Sequence, residues 1–148
     1  EELQGTTLSN ASGGWYHVGF TFDDSSNRLR LYVNGIEVAS KTHNNSTVNQ
    51  NSAFSIGRRH DTNGAYYDGK IDEVAYWDTE LSANAISTLY NSGNPLSASS
   101  NSGNYSSSGN LVMYYQFQEN LNDSEGSFDL TNYNNNIGAS NYVAETID

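Results

Sequence analysis

Arg28-Leu29-Arg30-Leu31-Tyr32-Val33-Asn34-Gly35-Ile36-Glu37-Val38-Ala39-Ser40-Lys41 carries the strongest hairpin signal in the chain. Leu29, Leu31 and Val33 fall on one face of an extended backbone and Arg28, Arg30 and Tyr32 on the other, the period of two expected of a strand with one buried face. Asn34-Gly35 follows at once, and both residues tolerate the positive φ that a type I′ turn demands. Ile36 to Lys41 is then the returning strand. Upstream, Tyr16, Val18, Phe20 and Phe22 alternate with His17 and Thr21, which predicts another half-buried strand, and Asp23-Asp24-Ser25-Ser26-Asn27 reads as the turn between them.

Downstream, Ala53 to Gly57 looks like a short strand and Arg58 to Gly69 like a long loop of a kind that tends to be functional. In Lys70 to Trp77 the phase is inconsistent: if Val74 and Tyr76 face inward so does Asp72, while Ile71 belongs to the other face. A bulge or a buried carboxylate must resolve this. A helix is predicted over Ala83 to Tyr90, with Ser82 as N-cap, Leu81 and Ile86 as a hydrophobic staple, and Gly93 available as a C-cap. Asn94 to Asn110 contains the single proline, Pro95, and reads as a linker or exposed loop. Strands are expected over Leu111–Phe117 and Phe128–Thr131, with an edge strand over Asn141–Ile147.

The 148 residues are about one domain's worth, enough for a core without staples. Eleven tyrosines with abundant Asn, Ser and Gly favour short strands joined by turns, so the class is all-β. Seventeen acidic residues against six basic ones leave a net charge of −11, which repels phosphate backbones and anionic lipid, so neither nucleic acid nor membrane is an expected partner. Cysteine is absent, which excludes disulfides and thiolate metal sites.

The order Trp15-Tyr16-His17-Val18, then Leu29 to Gly35, then Ser55-Ile56-Gly57, then Tyr67-Asp68-Gly69-Lys70-Ile71-Asp72-Glu73-Val74, then Leu81-Ser82 and a helix, resembles the second half of the laminin-G-like, concanavalin A-like family. The tail, Asn110–Phe117 followed by Asn122-Asp123-Ser124-Glu125-Gly126, is similar to that family's opening strands. The resemblance implies a two-sheet antiparallel jelly-roll sandwich with one short helix. It divides the chain into a sandwich portion over 1–93, a linker or loop over 94–110, and further strands over 111–148. These complete a circularly permuted single domain or begin a second repeat.

For function, the resemblance implies a non-catalytic module outside the cytoplasm, on a cell surface or virion, that binds glycans or assembles with neighbouring protein subunits. Its form would be a homo-oligomer or a tandem repeat of a larger chain. The alternatives are a glycan-cleaving enzyme on the same sandwich and a purely structural self-assembling subunit. Hydrolases of this fold resemble a Glu-x-Asp-x-x-Glu strand whose alternate carboxylates share a face. Lys70 occupies the place of the first Glu, and Asp72 and Glu73, being adjacent in an extended chain, point to opposite sides. His17, His43 and His60 show no triad or metal-ligand spacing and read as ordinary surface or half-buried residues.

Calcium is the cofactor the family resemblance suggests, with Asp72, Asp123 and Glu119 as oxygen ligands. The alternative is that Asp72 accepts ordinary hydrogen bonds and Asp123 closes an Asx turn. A second cluster, Asp61, Asn63 and Asp68 with Tyr66 and Tyr67, would hold calcium or a sugar, the tyrosines supplying a stacking face for a pyranose. Otherwise these tyrosines are packing or rim residues.

Overall fold

A computed structural model describes residues 14–42, 55–58 and 66–132. The chain runs β1 (Val18–Asp23), β2 (Arg28–Val33), β3 (Ile36–Thr42), β4 (Val74–Trp77), α1 (Ala83–Tyr90) and β5 (Leu111–Tyr115). β1, β2 and β3 form an antiparallel meander, and β4 pairs antiparallel with β5 in a second sheet. Two antiparallel sheets and one short helix agree with a sandwich-type all-β protein. Ala53 and Phe54 and the expected strand over Asn141–Ile147 lie outside the described residues.

The hairpin forms as its sequence dictates. Val33 pairs with Ile36 across Asn34 and Gly35, whose φ angles are 50° and 75°. The turn is clasped to the chain before β1: the Asn34 N–H donates to the His17 carbonyl at 2.8 Å, and the His17 N–H donates to Asn34 Oδ1 at 3.0 Å. A Cβ on Gly35 would also meet Tyr90 Cδ1 at 3.0 Å and Ser87 Cα at 3.1 Å, so the same glycine lets the turn rest on α1. At the other end, the Asp23 carboxylate accepts from the backbone N–H groups of Ser25 and Ser26 and from both hydroxyls, which holds its pKa down at about 2.

α1 is only two turns long, too short to persist without packing. Ser82 Oγ accepts from the Ala85 N–H at 3.1 Å, and the staple residues Leu81 and Ile86 are both buried. The helix stops at Asn91, not at Gly93: Asn91 takes the left-handed conformation itself, with φ 43°, and its N–H donates to Ser87 O. Asn is the residue other than glycine most at ease there, because its short amide bonds locally. Leu81, Ala85, Ile86 and Leu89 then join Tyr32 and Tyr105 in the core, with Trp77 packed against it. Each fully buried leucine or isoleucine contributes about 1.5–3 kcal/mol of transfer free energy.

The covered side of the meander is the one that reads as polar. Register places Gly19, Thr21, Arg30 and Tyr32 on one face, and it is there that α1 packs: Tyr32 is buried, Thr21 Oγ1 donates to Glu80 at 3.2 Å, and Arg30 pairs with Glu80. The face expected to be buried, Val18, Phe20 and Phe22 with Leu29, Leu31 and Val33, is the less covered one: Phe20 is 74% exposed and Val18 54%, while Phe22, Leu29, Leu31 and Val33 are half-buried. Alternation fixes which residues share a face but not which face finds a cover. Here Tyr32 reaches the helix, and Phe20 has no comparable cover.

Three further expectations need correction. Phe128–Thr131 is not a strand, because its backbone groups are used locally: the Phe128 N–H donates to Asp123, the Phe128 carbonyl accepts from Tyr115 OH, and the Leu130 N–H donates to Leu121 O. The Lys70–Trp77 strand begins only at Val74, since Glu73 has a φ of 52°. That left-handed residue, together with a bulge between Tyr76 and Trp77, resolves the phase conflict: Trp77 packs on the core and Tyr76 is exposed. Finally, the Asn94–Asn110 stretch is not an exposed connector throughout. It returns along α1 through the Leu96 N–H to Leu89 O bond and buries Ala98 and Tyr105.

Candidate functional site

Two places combine exposed or unsatisfied polar groups with aromatic side chains. The first is built on a short backbone bridge. Arg58 pairs with Tyr66 as an isolated antiparallel bridge, and the Tyr67 N–H donates to Gly57 O at 2.8 Å. This fixes two adjacent tyrosines with their side chains in solvent, Tyr66 51% exposed and Tyr67 61%. The Tyr67 ring lies over Gly69: a Cβ there would sit 2.7 Å from ring Cε1 and Cζ and 2.8 Å from the hydroxyl. Gly69 thus seats the ring. Asp68 and Lys70, both exposed, flank it. Asp61 and Asn63, expected in the same cluster, lie outside the described residues.

The second place is a small cavity of about 40 Å³ lined by His17, Glu73, Ala75, Trp77, Leu89, Pro95, Leu96, Ala98 and Tyr114. The Tyr114 hydroxyl donates to the Glu73 carboxylate. Burial pushes the Glu73 carboxyl up, the Tyr114 hydrogen bond opposes this, and the neighbouring Asp72 charge adds to it. The Tyr114 hydroxyl is itself pushed up to about 12 by burial and by bonding to a carboxylate. Burial lowers the His17 pKa, and its Nδ1 is buried with no hydrogen-bond partner. Sequence reading set His17 aside, because nothing in its spacing predicts that it lines a cavity with Glu73, Ala75 and Trp77.

The residues named for calcium are placed differently. Asp123 is buried under β5, and its Oδ1 accepts from the Tyr114 N–H at 2.9 Å and the Glu125 N–H at 3.2 Å, while Oδ2 accepts from the Phe128 N–H at 3.3 Å. Burial works to raise its pKa, but these donors together with the Gly126 N–H outweigh it and hold the carboxyl below the usual value. Asp72 is half-buried and Glu119 exposed at a φ of 58°. Among the described residues no three His, Asp or Glu side chains are grouped so as to hold a metal ion. Both oxygens of Asp123 already accept backbone N–H bonds, the hydrogen-bonding role weighed for it beside the calcium one.

The Laminin_G_3 family, described as the concanavalin A-like lectin/glucanases superfamily, matches residues 2–87. The chain belongs to this family. Among solved structures, this laminin-G-like chain is similar to a protein from Bacteroides ovatus provisionally described as carbohydrate binding, at 24% identity and a TM-score of 0.56, over 78% of this chain and 30% of the other. It is also similar to an S-layer domain-containing protein from Clostridium thermocellum, at 29% identity and a TM-score of 0.46, over 58% of this chain and 42% of that one. The laminin-G-like chain therefore spans less than half the length of either. No curated protein matches it. No helix among the described residues is long and apolar enough to cross a membrane.

Proposed function

We propose that this laminin-G-like chain is a non-catalytic, carbohydrate-binding module of a microbial or viral surface. The observation that carries the reading is the exposed Tyr67 ring, whose backbone is held by its N–H bond to Gly57 and which is seated on Gly69 beside Asp68, with exposed Tyr66 next to it in the chain. An exposed ring whose orientation is fixed loses little entropy when a pyranose stacks on it, and flanking polar groups can then select among hydroxyls. The Bacteroides ovatus neighbour and the family's name give the same direction. A catalytic role fits less well: a glycosidase needs two carboxyls facing one groove, and here Glu73 is bonded to Tyr114 at a small cavity that has no other carboxyl among its described lining residues. The pairing of β5 with β4 in one chain supports the permuted single-domain reading.

Glycan-array screening followed by calorimetry on the best ligand tests this. Tyr67→Ala is expected to weaken binding about tenfold, the scale of one lost stacking contact. Gly69→Ala should weaken it comparably without touching the sugar, because the new methyl displaces the ring. An array with no signal, or a ligand indifferent to both substitutions and to Tyr66→Ala, would remove the proposal.

A second reading, self-assembly, is favoured by the less covered, apolar sheet face. Val18, Phe20, Leu31, Val33 and Ile36 share one side of the meander, and a second copy could pack there sheet on sheet about a two-fold axis. The exposed area is on the order of 500 Å² per copy, short of the roughly 800 Å² of a standard interface, so the expected dimer is weak. Sedimentation should show dimer growing with concentration and with salt, which screens the repulsion between two copies of charge −11. Phe20→Ser should abolish it. A monomer at every concentration and salt would end this reading.

A further inference from the structure

The cavity beside His17 is chemically distinct from the tyrosine surface. We infer that it is a binding site for a primary ammonium group at the end of an unbranched alkyl chain, the tip of a lysine side chain or a small alkylamine. Its wall is apolar on the α1 and loop side, through Leu89, Pro95, Leu96 and Ala98, and aromatic on the sheet side, through Trp77 and Tyr114. Its charged or titratable groups besides Tyr114 are Glu73 and His17, and no Lys or Arg among the described residues lines it.

Each of these groups suits a cation with N–H donors. An ionised carboxylate accepts about four hydrogen bonds, and the Tyr114 hydroxyl takes one of those places on Glu73. Burial lowers the pKa of half-buried His17, which favours the neutral ring with a lone pair to offer, and its buried Nδ1 has no hydrogen-bond partner among the described residues. The faces of Trp77 and Tyr114 carry the negative end of the ring quadrupole, which attracts a cation. An ammonium entering here would find two acceptors in a lining that includes two aromatic side chains, whereas an anion would meet the Glu73 carboxylate.

Size selects the rest of the ligand. The cavity has a volume of about 40 Å³, which favours a slender group such as a nitrogen followed by methylenes over a bulky one. A quaternary ammonium is too wide and has no donors, and the amine of an amino sugar sits directly on a ring that cannot follow it. The site is consequently separate from the proposed glycan surface.

The test is an NMR titration of the ¹⁵N-labelled chain with ethylammonium chloride, against sodium chloride and tetramethylammonium chloride at equal ionic strength. Saturable shifts are expected at the His17, Ala75, Leu89 and Ala98 amides and the Trp77 indole, with ethylammonium only. Glu73→Gln, which keeps an acceptor for Tyr114, should weaken the effect at least tenfold. Should that variant not fold, the comparison of salts on the wild-type chain decides alone. Nα-acetyl-lysine methylamide binding more tightly than ethylammonium identifies a peptide side chain as the ligand; equal binding identifies a free small amine. No saturable shift would mean that the cavity holds water only. Equal shifts with tetramethylammonium, or binding of glucosamine hydrochloride at these residues, would equally overturn the assignment.

Discussion

Asp123→Ala is expected to destabilise the chain by about 3 kcal/mol or more, the scale of several charge-assisted hydrogen bonds lost at one buried carboxylate. The carboxylate gathers the N–H groups of Tyr114, Glu125 and Phe128, while the Asp123 N–H donates to Asp129 Oδ1 at 2.9 Å and the Ser124 N–H to Tyr114 O at 2.9 Å. One side chain therefore ties β5 to the loop that follows it. Gly126 shows how closely: a Cβ there would lie 2.6 Å from Asp123 Oδ2 and 2.9 Å from the Val112 carbonyl. Truncation leaves these donors, and the Gly126 N–H with them, in a space too tight for easy rehydration. Asp123→Asn should cost less than alanine, because the oxygen bonded to Tyr114 and Glu125 can be kept while an NH₂ faces the Phe128 donor. Urea denaturation measures both, and a loss below about 1 kcal/mol for alanine would show that the loop is held by something else.

The sign with pH follows from the depressed pKa. Above the unfolded-state value of about 3.9 the carboxylate's stabilisation is fully present, and it is lost as pH falls through the lower folded-state value. Wild type should thus lose stability on acidification below about pH 4 in part through this group. That part should be missing from Asp123→Ala. Asp23, held at about 2 by its turn hydroxyls, contributes in the same direction in both proteins.

What was legible in the sequence is local. The hairpin could be read because Asn34-Gly35 specifies its own φ values, and α1 because Ser82, Leu81 and Ile86 act within one turn of each other. Asp123 was recognised as a residue of consequence, with both a ligand role and an Asx turn open; its N–H partners follow from Gly126 and Phe128 being close in sequence. The pairing of β5 with β4 and the meeting of His17 with Glu73 and Tyr114 were not legible, since they join residues far apart in the chain. The exposure of Phe20 was hidden for a different reason: hydrophobic alternation is the same whether a face is covered within the chain or left open. Tyr66, Tyr67 and Asp68 were named from their clustering in a long polar loop, but the bridge of Tyr66 to Arg58 and the seat of the Tyr67 ring on Gly69 could not be read from the sequence.

Tyr105 shows how a single residue can outweigh the composition around it. It sits in Asn94–Asn110, a stretch so rich in Ser, Asn and Gly that nothing in its pattern predicts burial, yet it is 1% exposed. A local bridge between Ser102 and Tyr105, with N–H to carbonyl bonds of 2.9 and 2.8 Å, turns the ring inward. Its hydroxyl donates to the Ala98 carbonyl at 2.6 Å and accepts from Trp77 Nε1 at 2.9 Å, and the two rings meet edge to face with centroids 6.2 Å apart. Tyr105→Ala is expected to cost about 3–5 kcal/mol, the range for emptying a large aromatic site. Tyr105→Phe should retain the packing and lose about 1–3 kcal/mol, because the Trp77 N–H and the Ala98 carbonyl lose their partner. The indole N–H of Trp77 reports this directly: its hydrogen exchange should quicken in Tyr105→Phe while the Leu89 and Ile86 amides stay protected. If phenylalanine proved neutral and the indole stayed protected, the hydroxyl would be redundant and the loop held by ring burial alone; if alanine cost less than about 1 kcal/mol, the loop would be the connector its composition suggests.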